Sequence, residues 1–126
     1  MRMVTPLSRV LGLGAAGTGT EAFWRQRVTS VAAIPLTLFL IFASLYLAGS
    51  DHDSAAAFLA HPLVAVTLAL TIVVYAVHMR LGMEEIIVDY VHAPGPKFVS
   101  IVLNTFYAVA VAAVCLFALL SIAFGN

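Results

Sequence analysis

The chain has 126 residues, of which 63% are hydrophobic and 10% charged, with a formal net charge of zero and a mean hydropathy of +1.07. That balance excludes an ordinary soluble domain and predicts an integral membrane protein, with room for about three spans of roughly 20 residues each and no separate soluble domain. The six basic residues are dispersed along the chain, which argues against a nucleic-acid surface and against a polybasic lipid-binding tail.

Residues 1–27 read as a tail. Its opening, "MRMVTPLSRVLGLGAAGTGT", carries arginines and soft apolar patches. The composition resembles a transit peptide, but the apolar run is short and broken by glycine, and the preferred expectation is a retained tail lying over a partner. The first uncharged run, residues 28–48, has the length to cross a bilayer as a helix. Pro35 lies inside it and predicts a kink rather than a break, because neighbouring helices can satisfy the carbonyl that proline leaves free. Residues 49–61, "GSDHDSAAAFLAH", form a polar loop with a short apolar stretch suited to a brief interfacial turn.

The second helix is expected over residues 62–91, with Pro62 in its first turn. It stays uncharged through Val77, and its closing segment, "HMRLGMEEIIVDYVH" from His78 to His92, fills with charge. "HAPGP", residues 92–96, is a helix stop in which prolines bracket a glycine. The third helix is expected over residues 98–124 with no charged residue, and Cys115 lies within it. That lone cysteine cannot form an intrachain disulfide, has no metal-ligand spacing around it, and reads as a small packing residue.

All six basic residues fall on one side of the expected membrane: Arg2, Arg9, Arg25 and Arg27 before the first span, Arg80 and Lys97 around the turn joining the second and third. The opposite loop has none. The positive-inside rule therefore predicts a cytoplasmic N-terminus, or a matrix one in a mitochondrion, with Asn126 on the outer face.

The polar end of the second helix carries the candidate chemistry. A helix turns about 100° per residue, so His78 and Asp89 lie nearly in register, roughly 16 Å apart along the axis. Gly82 is on the same side and leaves the backbone open to a bulky group or another helix. Arg80 and Glu84 have the spacing of an ordinary helix-surface pair. An intramembrane histidine is costly without a partner, and a metal, a haem iron or another side chain would each serve. An interhelical hydrogen bond is an equally sound reading of His78 from position alone. Asp89 can pair with a base or relay protons, and Tyr90 can donate a hydrogen bond to a carbonyl; a helix end meeting water, with tyrosine in the aromatic belt, accounts for both as well. A six-coordinate haem needs two axial histidines, and this chain does not offer a second: His52 and His61 belong to the opposite side, and His92 lies about four turns along the same helix.

A three-span chain of this size, with His78, ten intervening residues and then Asp89-Tyr90, together with "GTEAFWRQRVTSVAAIPL" before and into the first span, resembles the small hydrophobic membrane anchors of succinate dehydrogenase (complex II), in their bacterial, alphaproteobacterial-like form. The resemblance covers most of the chain. It implies an all-α membrane protein, a single anchor domain of three transmembrane helices in a heteromeric bundle, in the bacterial inner membrane or the mitochondrial inner membrane. It implies that His78 is an axial ligand of haem b, the second ligand coming from a companion membrane-anchor subunit. It also implies that Tyr90 hydrogen-bonds a ubiquinone carbonyl with Asp89 beside that pocket, and that Arg27 lies near the haem propionates. Trp24 is an interfacial anchor or a neighbour of the quinone pocket. FAD and iron-sulfur clusters are expected in a flavoprotein subunit and an iron-sulfur subunit, not in this chain, which is expected to be a non-flavin subunit of the succinate dehydrogenase enzyme, with activity of the isolated chain left open. Related fumarate reductase anchors leave the direction of the reaction open. Two readings outside this resemblance are a proton-path or transporter component using His78, Glu84 and Asp89, and a purely structural assembly subunit.

Overall fold

The computed structural model describes residues 19–125 together with Pro6 and Val10; the expected N-terminal tail falls largely outside the described residues, as do Arg2 and Arg9. Among the described residues from Gly19 on, four helices follow one another: α1 (Gly19–Ala48), α2 (His52–Ala60), α3 (Pro62–Tyr90) and α4 (Pro94–Ala123). α1, α3 and α4 are each long and apolar enough to cross a membrane, so the protein is an all-α, multi-pass membrane protein.

The helices outrun their uncharged cores. α1 has 30 residues, about 45 Å at 1.5 Å per residue, against a hydrocarbon core of about 30 Å. Its first turns, with Glu21, Arg25 and Arg27, therefore form a helical extension rather than the tail expected up to residue 27. Glu21 sits in the first turn, where a carboxylate complements the helix dipole, and pairs with Arg25 one turn on. The helix continues without interruption across Pro35. At the other junction α3 ends at Tyr90 and α4 begins at Pro94, not at residue 98. The prolines that stop one helix also start the next, because the N–H groups they lack would be unsatisfied in a first turn anyway.

α3 is the central element, packed against α1 on one side and α4 on the other. The interfacial turn expected between the first two spans is a helix of nine residues, α2, which packs against α3 and α4. Tyr46 at the end of α1 meets Phe58 of α2, with ring centroids 4.6 Å apart.

Little of the molecule is enclosed. Among the described residues the buried side chains are Ala43, Thr71, Leu81, Ile87, Ala108 and Leu119. Thr71 satisfies its hydroxyl within α3 by donating to the Thr67 carbonyl at 2.7 Å. Large apolar side chains such as Phe42, Phe106 and Phe117 lie open, as suits a chain whose solvent is lipid or partner helix. In such a setting helices gain little from hiding apolar area and associate through close packing and hydrogen bonds.

Candidate functional site

The contacts between α1 and α3 climb one helix as they descend the other. Gln26 meets Gly82, Thr29 meets His78 and Thr37 meets Tyr75. The two helices are therefore antiparallel neighbours. Gln26, Thr29 and Thr37 are the polar side chains that α1 turns toward α3, the second and third lying three and eleven positions after the first on one side of the helix. That spacing was a usable sequence signal for a helix contact.

His78 is half-buried, and its Nδ1 lies 3.0 Å from Thr29 Oγ1. The Thr29 hydroxyl is also 2.9 Å from the Arg25 carbonyl and 3.0 Å from the Gln26 carbonyl. Carbonyl oxygens only accept; a hydroxyl that gives its one proton to its own helix presents lone pairs to the imidazole. The Nδ1–H tautomer satisfies this arrangement, and it leaves the Nε2 lone pair free, with no hydrogen-bond partner among the described residues. A neutral imidazole donating through one nitrogen and open at the other is the form in which histidine binds a metal.

Among the described residues no group of three or more His, Cys, Asp or Glu side chains gathers to hold a metal ion. A lone imidazole with one nitrogen open is a donor set chemically compatible with half of a bis-imidazole haem.

Of the two neighbours expected for Gly82, a bulky group or another helix, the structure shows the helix. A Cβ built there would sit 3.4 Å from Gln26 Nε2, so the open backbone admits α1, the helix alternative. The Oε1 of Gln26 is enclosed and has no hydrogen-bond partner.

Toward the end of the bundle that carries Arg25 and Arg80, α1 and α3 diverge into an open cleft of about 690 Å³. Glu21, Arg25, Arg80, Glu84, Glu85 and Asp89 line it. Two pairs neutralise part of the charge: Glu21 with Arg25, and Arg80 with Glu84 at 3.4 Å. Glu85 and Asp89 remain as carboxylates without a salt bridge among the described residues. His78, Gly82 and Asp89 all face α1, as their shared helical phase requires. Tyr90 does not line the cleft and is 79% exposed; one step along a helix rotates a side chain by about 100°. The structure thus gives Asp89 and Tyr90 different surroundings within this chain.

Arg80 does more than the surface pairing expected of it. Its Nε donates to Thr105 Oγ1 at 3.3 Å, and its carbonyl accepts from Asn104 Nδ2 at 2.9 Å. This joins α3 to α4 at the depth where the charge begins, and the sequence reading missed both Asn104 and Thr105. Arg27 is exposed, with its guanidinium 4.9 Å from the centroid of the Phe23 ring, a cation–π arrangement that holds it at the outside of α1. Trp24 is exposed as well. His52 and His61 flank α2, away from His78.

The family model for the succinate dehydrogenase/fumarate reductase transmembrane subunit matches residues 1–122. The chain is 32% identical over 126 residues to the succinate dehydrogenase hydrophobic membrane anchor subunit of Paracoccus denitrificans, covering 99% of this chain and 96% of that one. It is 29% identical over 97 residues to the succinate dehydrogenase membrane anchor subunit of Reclinomonas americana, covering 75% of this chain and 81% of the relative. No solved structure matches the chain. Three apolar helices, one half-buried histidine held between two of them and similarity over nearly the whole length agree: this chain belongs to the succinate dehydrogenase/fumarate reductase transmembrane-subunit family, as a hydrophobic membrane anchor of the inner membrane.

Proposed function

We propose that this chain anchors a succinate:quinone oxidoreductase, supplies one of two axial ligands to haem b through His78, and forms part of the site at which ubiquinone is reduced. The observation that supports the reading is the Thr29–His78 contact, which engages Nδ1 of an otherwise costly membrane histidine and leaves Nε2 without a partner among the described residues. The end of the bundle bearing Arg25, Arg27, Arg80 and Lys97 faces the cytoplasm or matrix, following the distribution of positive charge, and it meets the flavoprotein and iron-sulfur subunits there. The exposed apolar helix faces are covered by a second membrane anchor, which brings the other histidine.

When bound, haem b would supply a one-electron store for the complex. The chain's own residues hold and orient. His78 donates Nδ1–H to Thr29 and keeps its ring in place. Arg27, free of any carboxylate salt bridge among the described residues, is a positive charge for the propionates. Quinone reduction takes up two protons with two electrons, and both kinds of group needed are at the end of α3. The Tyr90 phenol donates a hydrogen bond to a quinone carbonyl, polarising it toward reduction. Asp89, without a salt-bridge partner among the described residues, lines the water-accessible cleft and relays protons toward the quinone. Tyr90 is so exposed in this chain alone that its pocket is completed by partner subunits.

The test is Tyr90→Phe in the intact complex, assayed for succinate oxidation with ubiquinone and with an artificial acceptor that takes electrons before the membrane site. Loss of one charge-neutral hydrogen bond predicts roughly a tenfold fall with ubiquinone and an unchanged rate with the artificial acceptor. Equal rates with both acceptors, each at the wild-type level, would remove Tyr90 from the quinone site.

A further inference from the structure

We infer that Thr29 is a positioning residue for His78: its hydroxyl oxygen accepts the imidazole Nδ1–H, fixing the tautomer and strengthening Nε2 as a ligand. This rests on the reading of His78 as a haem ligand and adds a residue to it, on a different helix.

The geometry is specific. Thr29 Oγ1 has three polar neighbours within 3.0 Å: the carbonyls of Arg25 and Gln26 and the Nδ1 of His78. The Gln26 carbonyl also receives the Ser30 hydroxyl, at 2.8 Å. With the single Thr29 proton given to the helix, where the Arg25 carbonyl is the nearer acceptor without a second hydroxyl on it, the imidazole is the donor. β-Branching restricts the rotamers open to Thr29 in a helix, and the ones that remain bond back to the preceding turn. The acceptor is thus aimed before any cofactor arrives. Helix α1 is held against α3 on either side of this point, by Gln26 over Gly82 and by Thr37 with Tyr75, so the oxygen cannot drift from the ring without separating the helices.

Two effects follow from a hydrogen bond to the outer nitrogen of a ligating histidine. It orients the ring, which aids retention of the metal group, and it raises the basicity of the ligating nitrogen, which favours the more highly charged ferric state. Removing the acceptor is expected to weaken retention by about 10-fold or more and to raise the midpoint potential, by about 59 mV for each tenfold change in ferric-to-ferrous preference.

The experiment compares wild type, Thr29→Val, Thr29→Ala, Thr29→Ser and His78→Ala in the purified intact complex. Haem is followed by the reduced-minus-oxidised spectrum, its loss to excess apomyoglobin, redox titration, and the electron paramagnetic resonance of the ferric haem. Thr29→Val keeps the shape and removes the acceptor; Thr29→Ala removes it with less bulk, so that either assembled variant serves. Both are expected to lose haem faster, to titrate at a higher potential and to show a shifted low-spin signal, while Thr29→Ser stays close to wild type. Wild-type retention and potential in Thr29→Val or Thr29→Ala would overturn the inference, as would a defect in which Thr29→Ser behaves like Thr29→Val. His78→Ala separates the two levels. Its loss of the haem band beside a wild-type Thr29→Val leaves His78 as ligand and removes only Thr29; an unchanged band in His78→Ala removes the ligand reading itself.

Discussion

Replacing Gly82 by alanine distinguishes a glycine kept open for a cofactor from one kept open for a helix. The added methyl would lie 3.4 Å from Gln26 Nε2 and meets no nearer atom, which is van der Waals contact with the far end of a flexible side chain. No backbone has to move. Glycine is less favourable than alanine in a helix interior by about 0.8–1.0 kcal/mol, so Gly82→Ala is expected to be neutral or to stabilise by up to about 1 kcal/mol. Leucine at the same place extends well beyond the methyl, into the space that Gln26 fills; overpacking of this kind costs about 1–3 kcal/mol, and it pries α1 from α3 at the turn next to Thr29 and His78. The assay is thermal denaturation of the detergent-purified complex, followed in parallel by subunit loss and by the haem band. Gly82→Ala should match or exceed the wild-type transition with an unchanged spectrum, whereas Gly82→Leu should lower the transition and disturb the haem. An assembled Gly82→Ala complex lacking its haem band would refute the reasoning, since it would mean that the space over Gly82 belongs to the cofactor and not to Gln26.

The hydrogen bond between Thr37 and Tyr75 joins α1 to α3 deeper in the membrane, and Thr37 also donates to the Ala33 carbonyl at 2.6 Å, so Tyr75 is the donor between the helices. A double-mutant cycle with Thr37→Val and Tyr75→Phe should return a coupling of about 0.6 kcal/mol, the usual size for such a bond in a membrane; strictly additive effects would show that the two do not interact. On the opposite side of the membrane, Asp51 precedes α2 and is fully exposed. The Ser54 hydroxyl, and more weakly the backbone amides of the first turn, hold its carboxyl below the ordinary 3.8. A depressed carboxylate stabilises the fold above its unfolded pKa, and that contribution is lost as pH falls through the folded value. Amide exchange in α2 should therefore rise, beyond its intrinsic trend, on acidification below about pH 4, and Ser54→Ala should blunt the change; an identical acid response in that variant would exclude the Ser54 contact as its source.

Much of this architecture was legible in the sequence because bilayer thickness dictates how long an uncharged run must be. Three such runs and the proline-flanked turn at residues 92–96 sufficed for three spans. Their ends were not legible by the same argument. Charge marks where hydrocarbon stops, but a helix persists beyond that point while its own hydrogen bonds and pairs such as Glu21–Arg25 hold, which is why α1 already includes Glu21, Arg25 and Arg27. The shared face of His78, Gly82 and Asp89 followed from helical phase alone. What that face meets did not, since a spacing of eleven does not say whether a haem, a partner or α1 lies opposite. Gln26 and Thr29 stood in the stretch that carried the resemblance, but their contacts were not legible, because a polar side chain near a helix end is ordinary in isolation and what it meets, Gly82 or His78, lies on another helix. Arg80 was read through its neighbour Glu84 for the same reason, and its bonds to Asn104 and Thr105 required the packing of α3 on α4.

The central claim is that His78 binds haem from this chain, and the reduced-minus-oxidised spectrum of the complex isolated through this chain tests it most directly. The wild-type complex should carry a b-type band together with a flavoprotein, an iron-sulfur subunit and a second membrane anchor. His78→Ala should retain the partner subunits and lose the band or convert it to a weakly held form. A b-type band of wild-type position, intensity and retention in the His78→Ala complex would contradict the account.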